Sequence, residues 1–351
     1  MVAEVMPSRP TILVAGQPQH DLADGLQSLV VAEDAGGLYR CEAVFANWGL
    51  AGQRLGFLLF DRRTVDFGKP FQVKIGSGVL FDGRVMGMEA NFPETRPPEL
   101  VVLAEDRLQD MRMTRRTRVF ENTTDADLAR QLANDHALTP DVDLPGPSHP
   151  VLVQLNLSDL AFLRDRVRQC DGELWVDGSK LIVRPRGGAN SPRKLVYGDE
   201  LREFTVLADL AGQRTAVIAT GWDVAAKAAI RHEATDSVVT RELRGGTSGA
   251  SILASAIGKR PETIAHSVPL TDAEATATAE AAFRRMARRF VIGRGLTNTD
   301  VRLQVGAAVE LTGLGPLFSG VYELTTVRHL FDGRLGLRSE FTAERPGLGT
   351  G

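Results

Sequence analysis

The sequence predicts a mainly β fold that carries a small α+β insert. The chain has 35 glycines in 351 residues, with many short runs of Val, Leu and Ile between them, which is typical of strands joined by turns. Apolar and polar residues alternate with a period of two near both ends of the chain. Apolar residues recur at helical spacing only in the middle of the chain and in one later segment.

The first part of the chain, residues 1–115, is predicted to form an antiparallel sheet or barrel. In the clearest strand, Phe71, Val73 and Ile75 alternate with polar residues, as expected when one face of a strand is buried. Glycine and proline residues separate the runs and favour tight turns. Strands are predicted at 11–15, 39–48, 71–75, 79–88 and 100–104.

The second part, residues 116–190, is predicted to be the α+β insert. Thr124 and Asp127 form a variant of the capping box at the start of a first helix, and a second helix starts near Ser158. A strand is expected at 151–155 before the second helix. After it, Asp177 and Gly178 predict the turn of a β-hairpin.

The third part, residues 191–351, is predicted to return to β structure around one long helix. Residues 244–258 are rich in Gly, Ser and Ala and are expected to form a loop. A helix is predicted over 271–290, because Thr271 and Glu274 form a capping box before an apolar stripe. That stripe indicates packing against a core rather than a cofactor site.

A short internal repeat suggests that a β-hairpin is used twice. Segments 73–83 and 309–320 share the pattern Gly-x-Leu-Phe-x-Gly, and an apolar strand follows each copy. Glycine would allow the turn, and adjacent Leu and Phe would point to opposite faces of a strand. We expect these turns to contact a neighbouring subunit. The residues concerned are Gly78, Leu80, Phe81, Gly83, Gly315, Leu317, Phe318 and Gly320.

Composition argues against several classes of protein. The formal net charge is −3, so no basic surplus indicates nucleic-acid binding. Cys41 and Cys170 lie far apart, which argues against a disulfide scaffold or a zinc site. We expect no signal peptide, because the first residues lack a basic segment followed by an apolar core, and we expect no membrane insertion.

No residue pattern predicts a catalytic, metal or cofactor site. A glycosidase needs two carboxylates at a fixed separation in a cleft. Five acidic residues crowd 89–106, but Pro93, Pro97 and Pro98 among them favour a solvated loop. The Gly-rich turns have no Lys-Ser/Thr pair and no strand-to-helix context, so phosphate binding is not indicated.

Six segments in order resemble the phage late control protein D family, which includes the tail hub of contractile phages and the base of type VI secretion VgrG proteins. The resemblance covers nearly the whole chain. The segments are LFDGRV (80–85), LAEDRLQDM (103–111), RVFENTTDADLARQLANDHAL (118–138), VQLNLSDLAFLRDRVRQCDGELWVDGSKLIVRP (153–185), ATGWD (219–223) and LGPLFSGVYELTTVRHLFD (314–332).

The resemblance implies a structural hub protein of a contractile phage tail or contractile injection system, and not an enzyme. Family members are trimers in which each subunit contributes two tail-tube-like β-barrels, here 1–115 and 191–351. Three copies would make a pseudo-sixfold ring that adapts a sixfold tail tube to a threefold spike. The implied partners are tube, spike and baseplate wedge proteins, with synthesis in the bacterial cytoplasm and assembly into the particle.

Two further expectations complete the sequence-based picture. The chain ends without the OB-fold and β-helical spike of VgrG-type proteins, so a separate spike protein is expected. The alternative function is a cell-wall-binding or peptidoglycan-degrading tail protein, with the insert as the glycan-binding part. A peptidoglycan pull-down would separate these two functions, and copurification of an effector would indicate a third role as an effector carrier.

Overall fold

Most of the fold rests on one large, mainly antiparallel sheet that includes strands from both ends of the chain. The computed structural model describes residues 9–51, 53–187, 191–224, 226–264 and 269–350. The predicted domain boundary at 190 lies outside the described residues. In the described part, thirteen strands join this sheet, and several smaller sheets surround it.

The N-terminal part supplies seven strands to the large sheet. Its elements are β1 (Thr11–Val14), β2 (Gln17–Pro18), α1 (His20–Gly25), β3 (Leu26–Asp34), β4 (Arg40–Ala46), β5 (Trp48–Ala51), β6 (Arg54–Phe57), β7 (Pro70–Ile75), β8 (Gly78–Asn91) and β9 (Glu99–Glu105). The five predicted strands are confirmed, whereas β3 was not predicted.

The middle part of the chain, called the insert below, contains helices and strands that share a buried core. Its elements are α2 (Leu108–Met113), β10 (Arg115–Thr124), α3 (Asp125–Asp135), β11 (Thr139–Val142), β12 (Ser148–Ser158), α4 (Asp159–Gln169), β13 (Gly172–Asp177) and β14 (Lys180–Pro185). The hydroxyl oxygens of Thr124 and Ser158 cap the two main helices. Leu128, Leu132 and Leu163 are fully buried between the helices and the strands.

The C-terminal part supplies the remaining strands and carries a layer of helices. Its elements are β15 (Arg193–Val196), β16 (Leu201–Ala208), β17 (Ala216–Asp223), β18 (Ala228–Ala234), a 3₁₀ helix (Asp236–Val239), α5 (Thr240–Leu243), β19 (Thr247–Ser248), α6 (Gly249–Ala256), β20 (Pro261–Ile264), α7 (Asp272–Arg288), β21 (Val291–Asn298), β22 (Ala308–Thr312), α8 (Gly315–Phe318), β23 (Gly320–Asp332), β24 (Gly336–Arg345) and β25 (Gly347–Leu348).

The helix predicted over 271–290 is confirmed, but the loop predicted over 244–258 is wrong in its second half. The Thr271 hydroxyl accepts the Glu274 N–H at 3.2 Å and starts α7. In the same way, the Ser248 hydroxyl accepts the Ser251 N–H at 3.0 Å and starts α6. Alanine is the best helix former, and burial of Leu253 holds the short helix in place.

The two ends of the chain contain the same five-stranded unit. The first unit has the strand order β7-β8-β9-β4-β3, and the second has β22-β23-β24-β21-β16. The corresponding strands follow one another in the same sequence order, and all neighbours within a unit are antiparallel. A duplicated module therefore makes up most of the large sheet.

The irregularities of the two units coincide, which fixes their equivalence residue by residue. One residue is skipped in β8 between Val85 and Gly87 against β9, and one is skipped in β23 between Leu324 and Thr326 against β24. A second bulge follows the first residue of β3 and of β16. Bulges re-aim a strand and are built into a fold, so their coincidence is strong evidence of duplication.

The two units are joined edge to edge by β3 and β23. Asp34 pairs with Thr326 at one end of this contact and Ser28 pairs with Asp332 at the other. Among the described residues the path of paired strands runs from β2 to β16 and does not return on itself. No closed barrel is therefore seen among the described residues, and the two tail-tube-like barrels expected from the sequence stay a prediction. Pairing of β3 with β23 joins two open units into one sheet.

Candidate interaction surfaces and the buried contacts behind them

The first set of predicted hairpin residues lies on β8 and not in a turn. Gly76 and Ser77 make the turn, and Gly78 is the first residue of β8. Val73 pairs with Phe81 and Lys74 pairs with Val79, which leaves Leu80 in a bulge.

This bulge overturns the expected orientation of the two apolar side chains. Leu80 and Phe81 were expected on opposite faces, but both are buried, with 6% and 3% exposed. Gly83 is required for a different reason: a Cβ atom there would lie 2.2 Å from the backbone oxygen of Glu105.

The second set of predicted residues has a different local structure. Gly315, Leu317 and Phe318 lie in the short helix α8, and Gly320 begins β23. Strand pairing makes Gly320 equivalent to Phe81, because Val73 and Leu311 are the matching partners in the two hairpins. The hairpin is repeated, but its two glycine motifs are out of register by two residues. Contact of these eight residues with another subunit stays a prediction.

Two strands present free backbone edges within the described residues. Apart from a single bridge between its first residue, Leu201, and Tyr197, β16 pairs only with β21, so the rest of its other edge is open. On β8, the edge that faces away from β9 is hydrogen-bonded as far as Val85. The Val85 N–H donates to the carbonyl of Lys69 at 3.0 Å, and the Val85 carbonyl accepts the Gly68 N–H at 2.8 Å. Beyond it, residues 87–91 pair with β9 only. Open edges of this kind accept strands of other chains.

A hairpin of β5 and β6 forms an exposed aromatic surface next to the free edge of β8. The Trp48 and Phe57 rings lie 5.2 Å apart, and Phe57 lies 6.1 Å from Phe92. Leu50 and Leu55 at the tip are 74% and 67% exposed. Apolar groups gathered in this way on a surface mark an interaction site.

Buried Asn47 fixes the base of this hairpin. Its side-chain oxygen accepts the N–H groups of Leu58 at 3.0 Å and Leu59 at 2.7 Å. The carbonyl of Pro98 accepts the Asn47 N–H at 2.9 Å. The hairpin therefore projects from the sheet with a defined base.

The insert carries a second exposed apolar surface on the ribbon of β10 and β12. Val119 is paired with Val153, and both side chains are about half exposed. Val151 and Leu155 lie on the same face of β12 and are also exposed. The opposite face of the ribbon packs Phe120 and Leu152 into the core of the insert.

Buried ion pairs fasten the insert to the second unit. Arg288 of α7 is 1% exposed, and its Nη1 and Nη2 donate to the two carboxylate oxygens of Asp171 at 2.6 and 2.8 Å. Its Nε and Nη2 donate to Glu242 at 2.7 and 2.8 Å. Asp171 follows α4, so this bidentate contact connects helices of two different parts of the chain.

A second arginine gathers three carboxylates at the same junction. Arg186 Nε donates to Glu323 at 2.9 Å and Nη2 donates to Glu344 at 2.7 Å. Glu173 Oε1 lies 2.9 Å from the same Nε but does not form a hydrogen bond with it. Burial raises the pKa of Glu173 to about 7, although the charge of Arg186 opposes this shift.

His149 makes a third link between the insert and α7. Its Nδ1 lies 2.9 Å from Glu274, and its Nε2 lies 3.1 Å from Asp125. Arg166 donates to both oxygens of Asp125 at 2.6 and 3.0 Å. The hydrogen bond to Asp125 raises the pKa of His149 above its usual range, and the bond to Glu274 adds to this effect.

Three of the five acids that were weighed as catalytic groups are held in structural contacts. Glu99 lies 3.0 Å from Arg96, and Glu105 is bound by Arg112. Asp106 accepts the N–H groups of Tyr39 and Leu108, both at 2.8 Å. Burial raises its pKa to about 6.

A cleft of about 620 Å³ between the insert and the second unit is lined by charged residues. Its buried carboxylates, Asp171, Glu173 and Glu344, lie in contact with Arg288 or Arg186. Within the part of the chain that the structure describes, no group of His, Cys, Asp and Glu side chains is arranged to hold a metal ion.

Comparison with known proteins gives the chain a family. Residues 62–332 match the family model described as the Alg8 N-terminal domain. The chain belongs to this family. The match begins ahead of β7 and extends to the end of β23. The late control protein D family is not confirmed by it, so that finer assignment stays a prediction. Among curated proteins, none matches the sequence.

Solved structures similar to this member of the Alg8 N-terminal domain family come from phage tails and a secretion system. The 43 kDa tail protein of prophage MuSo2 from Shewanella oneidensis is 12% identical with a TM-score of 0.72, covering 96% of this chain and 98% of that one. The tail protein from Neisseria meningitidis MC58 is 13% identical with a TM-score of 0.67, covering 97% of both chains.

A third similar structure is an Escherichia coli protein described as a component of the type VI secretion system. It is 12% identical with a TM-score of 0.58, and the match covers 97% of this chain and 79% of that one. At these identities the likeness shows the fold alone. The chain therefore has the fold of phage tail proteins. No helix in the described ranges is long and apolar enough to cross a membrane.

Proposed function

We propose that this protein is the baseplate hub of a contractile phage tail or contractile injection system. The observation that carries the proposal is the duplicated five-stranded unit. A chain with two equivalent units offers six of them in a trimer. Such a trimer can face a sixfold tube on one side and a threefold spike on the other.

The free strand edges support a ring in preference to a monomer. A sheet with open edges at β16 and β8 invites strand addition from another chain. In the proposal, the two tube-like barrels are parts of a tube that closes only between subunits. The parts of the chain keep the predicted boundaries at 1–115, 116–190 and 191–351.

The partners in this proposal are a tail tube protein, a separate spike protein and baseplate wedge proteins, and the place of assembly is the baseplate. The fold shared with phage tail proteins and a type VI secretion component supports this setting. The protein acts through contacts and not as an enzyme. The ion-paired state of its buried carboxylates supports that part of the proposal.

The decisive experiment is coexpression of the chain with tail tube and spike proteins whose genes are identified next to its own. Light scattering of the purified complex should give three hub copies for each spike trimer, and a cryo-EM map should show six similar β units around the channel. Two or six hub copies would contradict the proposal. Retention of the isolated chain on peptidoglycan, with no binding to tube or spike, would favour a cell-wall-binding protein instead.

A further inference from the structure

The contact that joins the two units within the chain has an unused counterpart on the outside of the molecule. Inside the chain, β3 of the first unit pairs with residues 326–332 of β23 in the second unit. The equivalent of β3 is β16, and the equivalent of this part of β23 is the segment 87–93, which runs from the end of β8 to Pro93. In the described structure, these equivalents are the two free edges.

The two potential partners repeat the local geometry of the internal contact. The Leu324 N–H donates to the Ala307 carbonyl, and the Leu324 carbonyl accepts the Gly306 N–H, both at 2.9 Å. The pairing of β23 with β3 begins two residues later, at Thr326. Lys69 and Gly68 bond to Val85 in the same way at the corresponding point of β8. The edge of β8 beyond Val85 is therefore shaped as the edge that β3 already occupies on β23.

We propose that β16 of one copy of the chain pairs antiparallel with residues 87–91 of β8 in a second copy. This inference rests on the proposed hub function, and it names the strands and the register through which copies associate. Each copy has one edge of each kind, so the contact is heterologous. Heterologous contacts form a ring when the rotation between successive copies closes, and in the proposed hub three copies complete a ring of six units.

The internal contact sets the register of the external one. Thr326, Arg328 and Leu330 pair with Asp34, Ala32 and Val30. Replacing each residue by its equivalent in the other unit gives the external pairs. The expected pairs are Gly87 with Asp209, Met88 with Ala208, Glu89 with Leu207, Ala90 with Val206, and Asn91 with Thr205.

Side-chain burial supports the same docking. Phe331, which pairs with Leu29, is 5% exposed and lies in the core of the first unit. Its equivalent, Phe92, is 64% exposed. In the proposed contact, Phe92 comes opposite Phe204, the equivalent of Leu29, and enters the core of the second unit of the neighbouring copy.

The exposed surface of β16 fits an apolar partner. Leu207 is 61% exposed, and Phe204 and Val206 are only partly buried against the core of the second unit. The equivalents of these last two residues, Leu29 and Val31, are 1% and 0% exposed beneath β23. The same positions are thus covered in one unit and uncovered in the other, as expected if a second copy covers them.

Engineered cysteines test the register directly. Glu89 and Leu207 are both exposed, so replacing them leaves the core of the subunit intact. Directly opposed residues in an antiparallel pair have Cα atoms about 4.5–5.5 Å apart, which a disulfide can span. The variant Glu89→Cys with Leu207→Cys should form covalent dimers and trimers under mild oxidation in the complex with tube and spike.

The matched control moves one cysteine by two residues on the same face. Glu89→Cys with Thr205→Cys places the thiols on a diagonal about 7–8 Å long, so cross-linking should fall at least tenfold, and each single variant should give none. Equal cross-linking by both pairs, or none by the first pair in a complex that contains three hub copies, would overturn the register and leave the hub function standing. Absence of any association with tube, spike or a second copy would overturn both proposals.

Discussion

Phe92 and Phe331 occupy equivalent positions beside the ends of two corresponding strands, yet the Phe331 side chain is 5% exposed and the Phe92 side chain is 64% exposed. Phe331 is covered because β3 pairs with β23 and brings Leu29 opposite it. The matching edge beside Phe92 has no such strand in the described chain. Duplication has therefore produced one filled and one open version of the same contact.

Alanine at these two positions should separate folding from association. Phe331→Ala removes a buried ring and should lower the free energy of unfolding by about 3–5 kcal/mol. Phe92→Ala removes an exposed ring and should cost less than about 1 kcal/mol in the isolated chain. Urea denaturation measures both effects.

Association of subunits, in contrast to folding, should depend on Phe92. Phe92→Ala should reduce the fraction of hub trimers in the complex with tube and spike at a fixed concentration, measured by light scattering, because its ring fills the neighbouring core. A Phe92→Ala variant that assembles as the wild type does would show that Phe92 lies outside the contact.

The buried contact between Arg288 and Asp171 should be important for stability. Asp171→Ala leaves the guanidinium of Arg288 buried with Glu242 as its remaining carboxylate partner. Breaking a buried ion pair from one side costs about 3–5 kcal/mol. Chemical denaturation should detect this loss.

An exposed ion pair of the same kind provides the control. Arg328 lies 3.0 Å from Glu340, and both side chains are about half exposed. Glu340→Ala should change the free energy of unfolding by less than about 1 kcal/mol. Similar losses in Asp171→Ala and Glu340→Ala would show that the Arg288 cluster does not hold the insert in place.

Local patterns predicted the elements whose signals are local. The capping box of Thr271 and Glu274 predicted α7, and the Asp177-Gly178 turn predicted the hairpin of β13 and β14. The loop prediction failed at α6 because a Ser248 cap followed by alanines resembles a flexible segment in composition.

The contacts that shape the sheet depend on residues distant in sequence, and no local pattern predicted them. Strand β3 was missed, although Leu29 and Val31 alternate with less buried neighbours, because its partner β23 lies near the other end of the chain. The sequence pattern predicted the hairpin repeat, but it aligned the two hairpins by their shared glycines. Strand pairing aligns them differently, by two residues. A bulge at Leu80 in one hairpin and helix α8 in the other cause the difference.

The stability of the insert contact should depend on the protonation of His149. Its pKa is raised in the folded state by Asp125 and then Glu274. Because the pKa of His149 is raised on folding, its contribution to the free energy of unfolding is complete below its pKa in the unfolded state, about 6.5. The contribution is lost as pH rises through its pKa in the folded state. Asp125 stays ionised over this range because its own pKa is lowered, with hydrogen bonds from His149 and Arg166 overcoming the opposing effect of burial.

Comparison of wild type with His149→Gln measures this contribution. The difference in free energy of unfolding should be largest near pH 5.5 and should shrink towards pH 8.5. His20→Gln, at an exposed position, is the control for the same substitution away from the contact. A difference that stays constant with pH would mean that packing, and not the charge of the imidazolium, accounts for the role of His149.

Glu33 should make the protein less stable as pH rises above the acidic range. This carboxyl is 2% exposed, and burial raises its pKa to about 8, although the Val305 N–H that donates to it at 3.1 Å opposes the shift. The folded state therefore favours the protonated acid. The contribution of Glu33 to the free energy of unfolding is complete below its pKa in the unfolded state, about 4.3. It is lost as pH rises through its pKa in the folded state, about 8.

Glu33→Gln should remove this loss, because a glutamine is neutral at every pH and its side-chain oxygen can still accept the Val305 N–H. The variant should match the wild type at pH 5 and exceed its free energy of unfolding by about 2–4 kcal/mol at pH 8.5, since a tenfold change in proton affinity is worth about 1.4 kcal/mol. Urea titrations at both pH values measure the difference, with Glu340→Gln at a half-exposed position as the control. Parallel pH profiles for Glu33→Gln and the wild type would mean that Glu33 is ionised in the folded protein and that its burial carries no such penalty.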